Sequence, residues 1–141
     1  MEKFYSKIDP EVVLHMVVRK EDFKPGRIDL IAPDNFIQCS LLNFQKGKTF
    51  QPHKHIWKKY QDSKYFSMII AQESWYVQQG KVKCIFYDFD ESILATEILN
   101  AGDASFTLCC GHNYEILEDD TKILEYKTGP YEGQEKDKVF I

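Results

Sequence analysis

The stretch Glu73-Ser74-Trp75-Tyr76-Val77-Gln78-Gln79-Gly80-Lys81-Val82-Lys83-Cys84-Ile85-Phe86-Tyr87 decides the fold class. Val82, Cys84 and Phe86 alternate with Lys81, Lys83 and Tyr87, the period of two that marks a half-buried strand. Gln79-Gly80 supplies a tight turn in front of it, so the two halves read as a hairpin. On the first half, Glu73 shares a face with Trp75 and Val77. If that face is the core, a carboxylate sits among apolar neighbours, where a bare charge is costly. A bound cation or a basic neighbour would offset the cost.

The same pattern recurs on both sides of the hairpin. Candidate strands are Val12–Val18, Phe36–Phe44, Thr49–His55, Ser67–Val77, Lys81–Tyr87, Ile93–Leu99, Ala104–Cys109, Tyr114–Leu117 and Ile123–Tyr126. They are punctuated by Gly47, Asp88–Glu91, Asn100-Ala101-Gly102-Asp103, Gly111 and Glu118–Asp120. Helical periodicity is almost absent, and short strands at near-regular spacing predict an all-β sandwich or barrel. Asp9-Pro10-Glu11 suits the start of a short helix, whereas Val12, Val13, Val17 and Val18 favour a strand, and both readings stand. Phe23–Asn35, with Pro25-Gly26 and Pro33, reads as a loop, and Gly129–Lys138 as a polar surface tail or a segment packed across a neighbour. No repeat or linker divides the chain, so residues 1–141 form one expected domain.

Composition narrows the function classes. With 43% hydrophobic residues, 10 Phe, 8 Tyr and 2 Trp, the 141-residue chain has the material for a packed core. Lys and Arg number 18 against 22 Asp and Glu, a net charge of −4, so no nucleic-acid partner is expected. No apolar run approaches the roughly 20 residues of a membrane helix. The start Met1-Glu2-Lys3-Phe4-Tyr5-Ser6-Lys7 lacks a signal core, and a cytoplasmic protein without membrane contact is expected. The four cysteines make no Cys-x-x-Cys pair. Cys39 and Cys84 are expected to be reduced, small core residues. Of Cys109 and Cys110 at most one faces the interior, either as plain packing or as a thiol beside His112.

His53 and His55 stand two apart in a predicted strand, so their imidazoles leave one face and can reach one ion at about 2.0–2.2 Å each. Such a pair alone is a weak signal, and Glu73 in the next predicted strand strengthens it. His112, just past Gly111, is the fourth candidate, while His15 reads as a strand-end residue without a role.

Gly47 followed by His53-Lys54-His55, then Glu73 and Gly80, resembles the first motif of the cupins, although Ile56–Gln72 makes a longer gap than the family's usual one. Gly102-Asp103-Ala104-Ser105-Phe106 through Cys110-Gly111-His112 resembles the second. The resemblance covers about Phe36 to Tyr126. It implies a double-stranded β-helix, or jelly-roll barrel, holding a divalent metal (Fe, Mn, Ni, Zn or Co) on His53, His55, Glu73 and His112. Gly111-His112-Asn113-Tyr114-Glu115-Ile116-Leu117-Glu118-Asp119 and the tail Tyr126–Gly133 with Asp137-Lys138 are similar to small bacterial cupins associated with surface-polysaccharide gene clusters.

That likeness implies a small, sugar-derived ligand but no particular reaction; a metal polarising a substrate oxygen would allow isomerase- or epimerase-like chemistry on a carbohydrate or nucleotide sugar through an enediol. A cupin that binds a ligand without turning it over, a metal-dependent dioxygenase and a purely structural barrel are the alternatives. Tyr76, Tyr87 and Tyr114 are candidate proton donors, and strand alternation forbids all three from lining one cavity. Trp57, Lys58 and Lys59, with Lys54, Tyr60, Lys64 and Tyr65 around them, suit either a flap gripping an anionic sugar or a solvated loop. A homodimer through the N-terminal strand is expected by fold analogy.

Overall fold

The computed structural model describes residues 1–59 and 68–141. Its strands are β1 (Glu2–Tyr5), β2 (Val13–Val17), β3 (Gly26–Asp29), β4 (Ile37–Phe44), β5 (His53–His55), β6 (Trp57–Lys59) and β7 (Met68–Ile70). They continue as β8 (Glu73–Gln79), β9 (Lys81–Tyr87), β10 (Ile93–Asn100), β11 (Ala104–Thr107), β12 (Gly111–Ile116), β13 (Thr121–Thr128) and β14 (Lys138–Phe140). Two five-stranded antiparallel sheets, in the orders β10-β9-β12-β5-β14 and β11-β8-β13-β4-β3, face one another. Two-stranded ribbons, β1-β2 and β6-β7, form separate hydrogen-bonded sheets, and Met16 of β2 packs against the outer face of β4. The architecture is an all-β jelly roll.

The core between the sheets follows from the alternation. Leu42, Trp75, Val77 and Ile123 come from one sheet, and Val82, Cys84, Tyr114 and Ile116 from the other. Each fully buried aliphatic side chain among them contributes about 1.5–3 kcal/mol. Strand β4 is buried on both faces: Leu42 points into the barrel, while Leu41 and Cys39 pack outward against Phe23 and Leu30. Ser40, Leu41, Leu42 and Asn43 are accordingly all buried, and the strand lacks the simple in-out pattern of β9.

Several boundaries differ from the sequence reading. The expected loop Phe23–Asn35 contains β3, which pairs with β4 from Gly26↔Asn43 to Asp29↔Ser40. The last residue of the expected polar tail, Lys138, opens a further strand, β14, which pairs with β5 from Lys138↔His55 to Phe140↔His53. Both segments are short edge strands, and a partner strand rather than local composition makes them extended. The expected strand Thr49–His55 forms only over β5, with Thr49 in an isolated bridge to Glu115, because Pro52 interrupts donation to the ladder. Ser67–Val77 divides at Ala71-Gln72 into β7 and β8, with Ser67 outside the described residues. Strand β11 stops at Thr107, and β12 starts three residues earlier than read, which puts His112 inside a strand. Between the helix and strand readings of the N-terminus, the strand β2 is the one formed.

The hairpin turn makes one glycine indispensable. Gly80 has φ +84°, and a Cβ there would meet the backbone Cα of Thr121 at 2.9 Å as well as its side chain. Gly47 has a similar φ of +83° with nothing within 4 Å of the added Cβ. Gly47→Ala is expected to cost about 1 kcal/mol for the left-handed backbone alone, and Gly80→Ala about 2–4 kcal/mol, read from urea-unfolding midpoints at constant slope.

Candidate metal centre

Strand pairing assembles the site. His112 on β12 and His53 on β5 are direct cross-strand partners, and His55 lies two residues further on the same face of β5. Their ring centroids are 4.5 Å apart for His53–His112 and 5.5 Å for each of the other two pairs. Glu73, the first residue of β8, comes from the opposite sheet. One ligand atom from each of His53, His55, Glu73 and His112 falls within 4.8 Å of all the others, and all four residues are buried.

Around Glu73, Oε2 is 3.5 Å from His55 Nε2 and Oε1 is 3.4 Å from His112 Nε2. Neither approach is aligned as a hydrogen bond, and among the described residues His55 Nε2 and both nitrogens of His112 are buried without a hydrogen-bond partner. Unsatisfied buried nitrogens of this kind are rare, and their cost calls for an unseen partner. Atoms bound at about 2.1 Å to one ion stand roughly 3.0–3.5 Å apart, the separation of Glu73 from His55 and from His112. The donor set, three imidazoles and one carboxylate, all buried, fits a divalent metal ion and does not select between Mn, Fe, Co, Ni and Zn.

The outer contacts orient these donors. His53 Nδ1 lies 3.1 Å from the Gln51 carbonyl and donates to it, which leaves the lone pair of Nε2 facing the cluster. His55 Nδ1 lies 3.2 Å from the buried Asp137 Oδ2, the carboxylate–histidine arrangement that orients a ligating imidazole. Burial, together with His112 and Lys138 nearby, lowers the His53 pKa to about 4, so this ring is neutral at pH 7. Burial also opposes charge on His55, but Asp137 and Glu73 outweigh it and raise its pKa. Burial would raise Glu73, yet His112 and His55 hold it well below the ordinary range, and it is a carboxylate.

A second carboxylate lies behind the first. Trp75 Nε1–H donates to Glu73 Oε1 at 3.0 Å and to Glu125 Oε2 at 3.1 Å. Glu125 Oε1 in turn accepts from Arg27 Nη2 at 2.7 Å, and Arg27 also binds Asp29 at 2.8 Å and Ser40 at 2.8 Å. Burial and the Glu73 charge raise the Glu125 pKa, against the pull of Arg27. The Trp75 ring is held by Tyr114, stacked at 3.9 Å with 7° between planes. His53, Glu73, Trp75, Tyr114, Glu125 and Arg27 all line one cavity of about 490 Å³, which also receives Lys127, Lys138 and Tyr131. This volume is within the range of roughly 300–1,000 Å³ usual for small-molecule sites.

Of the three candidate proton donors, Tyr76, Tyr87 and Tyr114, only Tyr114 lines the cavity. Its hydroxyl is 3.1 Å from Ser105 Oγ, and burial keeps it protonated by raising its pKa. Tyr76 and Tyr87 fall on the outward sides of β8 and β9, opposite Trp75 and Phe86, and are no part of the cavity. Trp57 is 59% exposed and is also absent from the lining. Tyr60, Lys64 and Tyr65, and the side chains of Lys58 and Lys59, lie outside the described residues. Cys39 and Cys84 are buried free thiols. Cys109 and Cys110 occupy the turn before β12 with Sγ atoms 3.3 Å apart, and neither joins the histidine cluster.

Sequence reading missed Arg27, Glu125, Asp137 and the cavity role of Lys138. Glu125 was discoverable, since it shares the inward face of β13 with Ile123 as Glu73 does with Trp75. Asp137 and Lys138 carried no such signal, because their importance arises from the pairing of β14.

No protein-family model matches the sequence, and no curated protein does. Solved structures do. KdgF from Halomonas sp. superimposes with a TM-score of 0.52 at 19% identity, over 72% of this chain and 76% of that one. A cupin superfamily protein from Desulfitobacterium hafniense gives 0.51 at 15% identity, over 80% and 83%. Oxalate decarboxylase from Bacillus subtilis, a protein with Mn(II) centres, gives 0.55 at 13% identity, over 77% of this chain and 25% of the larger enzyme. The fold is that of the cupins. Among the described residues, no helix is long and apolar enough to cross a membrane.

The purified protein is expected to carry close to one equivalent of divalent metal by elemental analysis, and Glu73→Gln or His112→Ala to lose it. At free metal about a hundred times Kd the ion adds about 2.7 kcal/mol, so chelation is expected to lower Tm by roughly 5–10 °C.

Proposed function

We propose that this cupin-fold protein is a metal-dependent enzyme acting on a carbohydrate or sugar-derived substrate by isomerase- or epimerase-type chemistry, in surface-polysaccharide metabolism within the cytoplasm. The observation that carries the reading is the convergence of His53, His55, Glu73 and His112, two of which, His53 and Glu73, line a cavity rich in hydrogen-bonding groups. Arg27, Asp29, Gln38, Ser40 and Asn113 supply donors and acceptors there, beside the aromatic surfaces of Phe50, Trp75 and Tyr131. Polyhydroxylated ligands suit that mixture.

A divalent ion on the four ligands supplies Lewis acidity toward a substrate oxygen. Gln51 and Asp137 orient the imidazoles of His53 and His55, and Trp75 holds the Glu73 carboxylate through its indole N–H. Tyr114, protonated and at the cavity wall, is assigned as a proton donor. The reading extends to Trp57, Lys58 and Lys59 on β6, the strand that follows His55, as substrate-binding residues.

Incubating Mn(II)-, Fe(II)-, Ni(II)-, Zn(II)- and Co(II)-loaded protein with sugars, sugar phosphates and nucleotide sugars in deuterated water is expected to show deuterium incorporation at carbon with at least one pair. Tyr114→Phe is expected to lower that rate about 10²–10⁴-fold. Binding without exchange across the panel would favour a non-catalytic ligand-binding protein, and oxygen consumption would favour a dioxygenase.

The reading includes a homodimer. Phe4, Tyr5, Val12, Val13 and Leu14 in and beside the β1-β2 ribbon are exposed, as are Phe36, Ile37, Phe106 and Leu108, and apolar surface of this kind is commonly covered by a partner. Sedimentation is expected to give twice the 16.6 kDa chain mass, and a species of 16.6 kDa alone would remove the dimer.

A further inference from the structure

Lys138 differs from the other cations of the cavity. Arg27 is occupied by Glu125, Asp29 and Ser40. Lys127 Nζ lies 2.9 Å from Asp137 Oδ2 and 4.6 Å from the centre of the Tyr131 ring. Lys138, half-buried on β14 and paired through its backbone with His55, has no carboxylate within ion-pair distance among the described residues. Its ammonium instead lies 3.4 Å from His53 Nε2.

That contact cannot survive metal binding. The Nε2 lone pair that accepts from Lys138 is the one left for the ion once Nδ1 donates to Gln51. When Nε2 becomes a ligand, the ammonium loses its acceptor and stands beside a dication, an arrangement that an intervening anion would relieve. The charge count agrees. Arg27, Lys127 and Lys138 line the cavity with Asp29, Glu73 and Glu125, and Asp137 stands behind the wall. With the ligating histidines neutral, a divalent ion leaves one positive charge in excess. One carboxylate matches it, whereas a phosphate monoester carries about −1.5 to −2.

We propose that Lys138 recognises a substrate carboxylate next to the metal, so that the cavity takes a monoanionic sugar acid or hydroxy acid in preference to a neutral sugar or a phosphate ester. The inference rests on the metal-dependent reading of the site and narrows its substrate class. Strand β14 and the residue just before it thereby contribute both a substrate contact, through Lys138, and the support of His55, through Asp137.

The full-length protein loaded with Co(II) tests this by its visible spectrum, titrated with glycolate, with ethylene glycol as the neutral analogue and with inorganic phosphate. Glycolate is expected to perturb the spectrum at concentrations at least tenfold below either of the others. Lys138→Met is expected to weaken glycolate at least tenfold while Co(II) stoichiometry and circular dichroism stay unchanged, and Lys138→Arg to restore most of the loss. If Lys138→Met does not fold, Lys138→Gln replaces it with the same expected tenfold loss. Unchanged glycolate affinity in the folded variant overturns the proposal while leaving the metal reading intact, as does equal affinity for phosphate or ethylene glycol. Wild-type protein that takes up no Co(II) removes the metal reading and this inference with it.

Discussion

The whole interior is organised by one buried carboxylate. Glu73 is 7% exposed and lies between sheets whose other inward residues are largely apolar. A charge in that position is tolerable only if the surroundings answer it, and the answer comes from the opposite sheet as three imidazoles. The contact also defines how the sheets are stacked. His53, His55 and His112 belong to one sheet and Glu73 to the other, so a divalent ion held by all four would tie the two layers together beside the Trp75–Tyr114 stack.

Charge management continues away from the cluster. Two acidic side chains near one another would repel, and Glu125 stands close enough to Glu73 for its pKa to be raised, after burial, by that charge. The Trp75 indole donates between them, and Arg27 closes the chain from the far side. The Trp75–Tyr114 stack then fills the middle of the barrel, so the aromatic core and the polar network share the same residues. A carboxylate, an indole and a guanidinium in series make the cavity polar without leaving these groups unpaired.

Legibility in the sequence followed the kind of signal each element carried. Strand β9 matches its expected bounds, Lys81–Tyr87, because Val82 and Cys84 are buried between the half-buried Lys81, Lys83 and Ile85, an alternation that starts with the strand. Strand β4 was found from its apolar content although it is buried on both faces. Strand β3 was read as loop and the first residue of β14 as tail, since edge strands of three or four residues take their conformation from their neighbours' free backbone groups. Among the side chains, the four histidine and glutamate ligands stood out by type and spacing, while Arg27 and Lys138 looked like any surface cation.

By itself the sequence determined the all-β class, the shared face of Glu73 with Trp75 and Val77, and the shared face of His53 and His55, because strand periodicity is a local property of the chain. Only the tertiary structure decided which strands became neighbours. The register that sets His112 opposite His53, the delivery of Asp137 to His55 and the placement of Lys138 beside His53 all depend on hydrogen-bonded ladders between segments far apart in sequence. Such ladders form wherever two free strand edges meet, and no residue type in Gly129–Lys138 announces which edge it will meet.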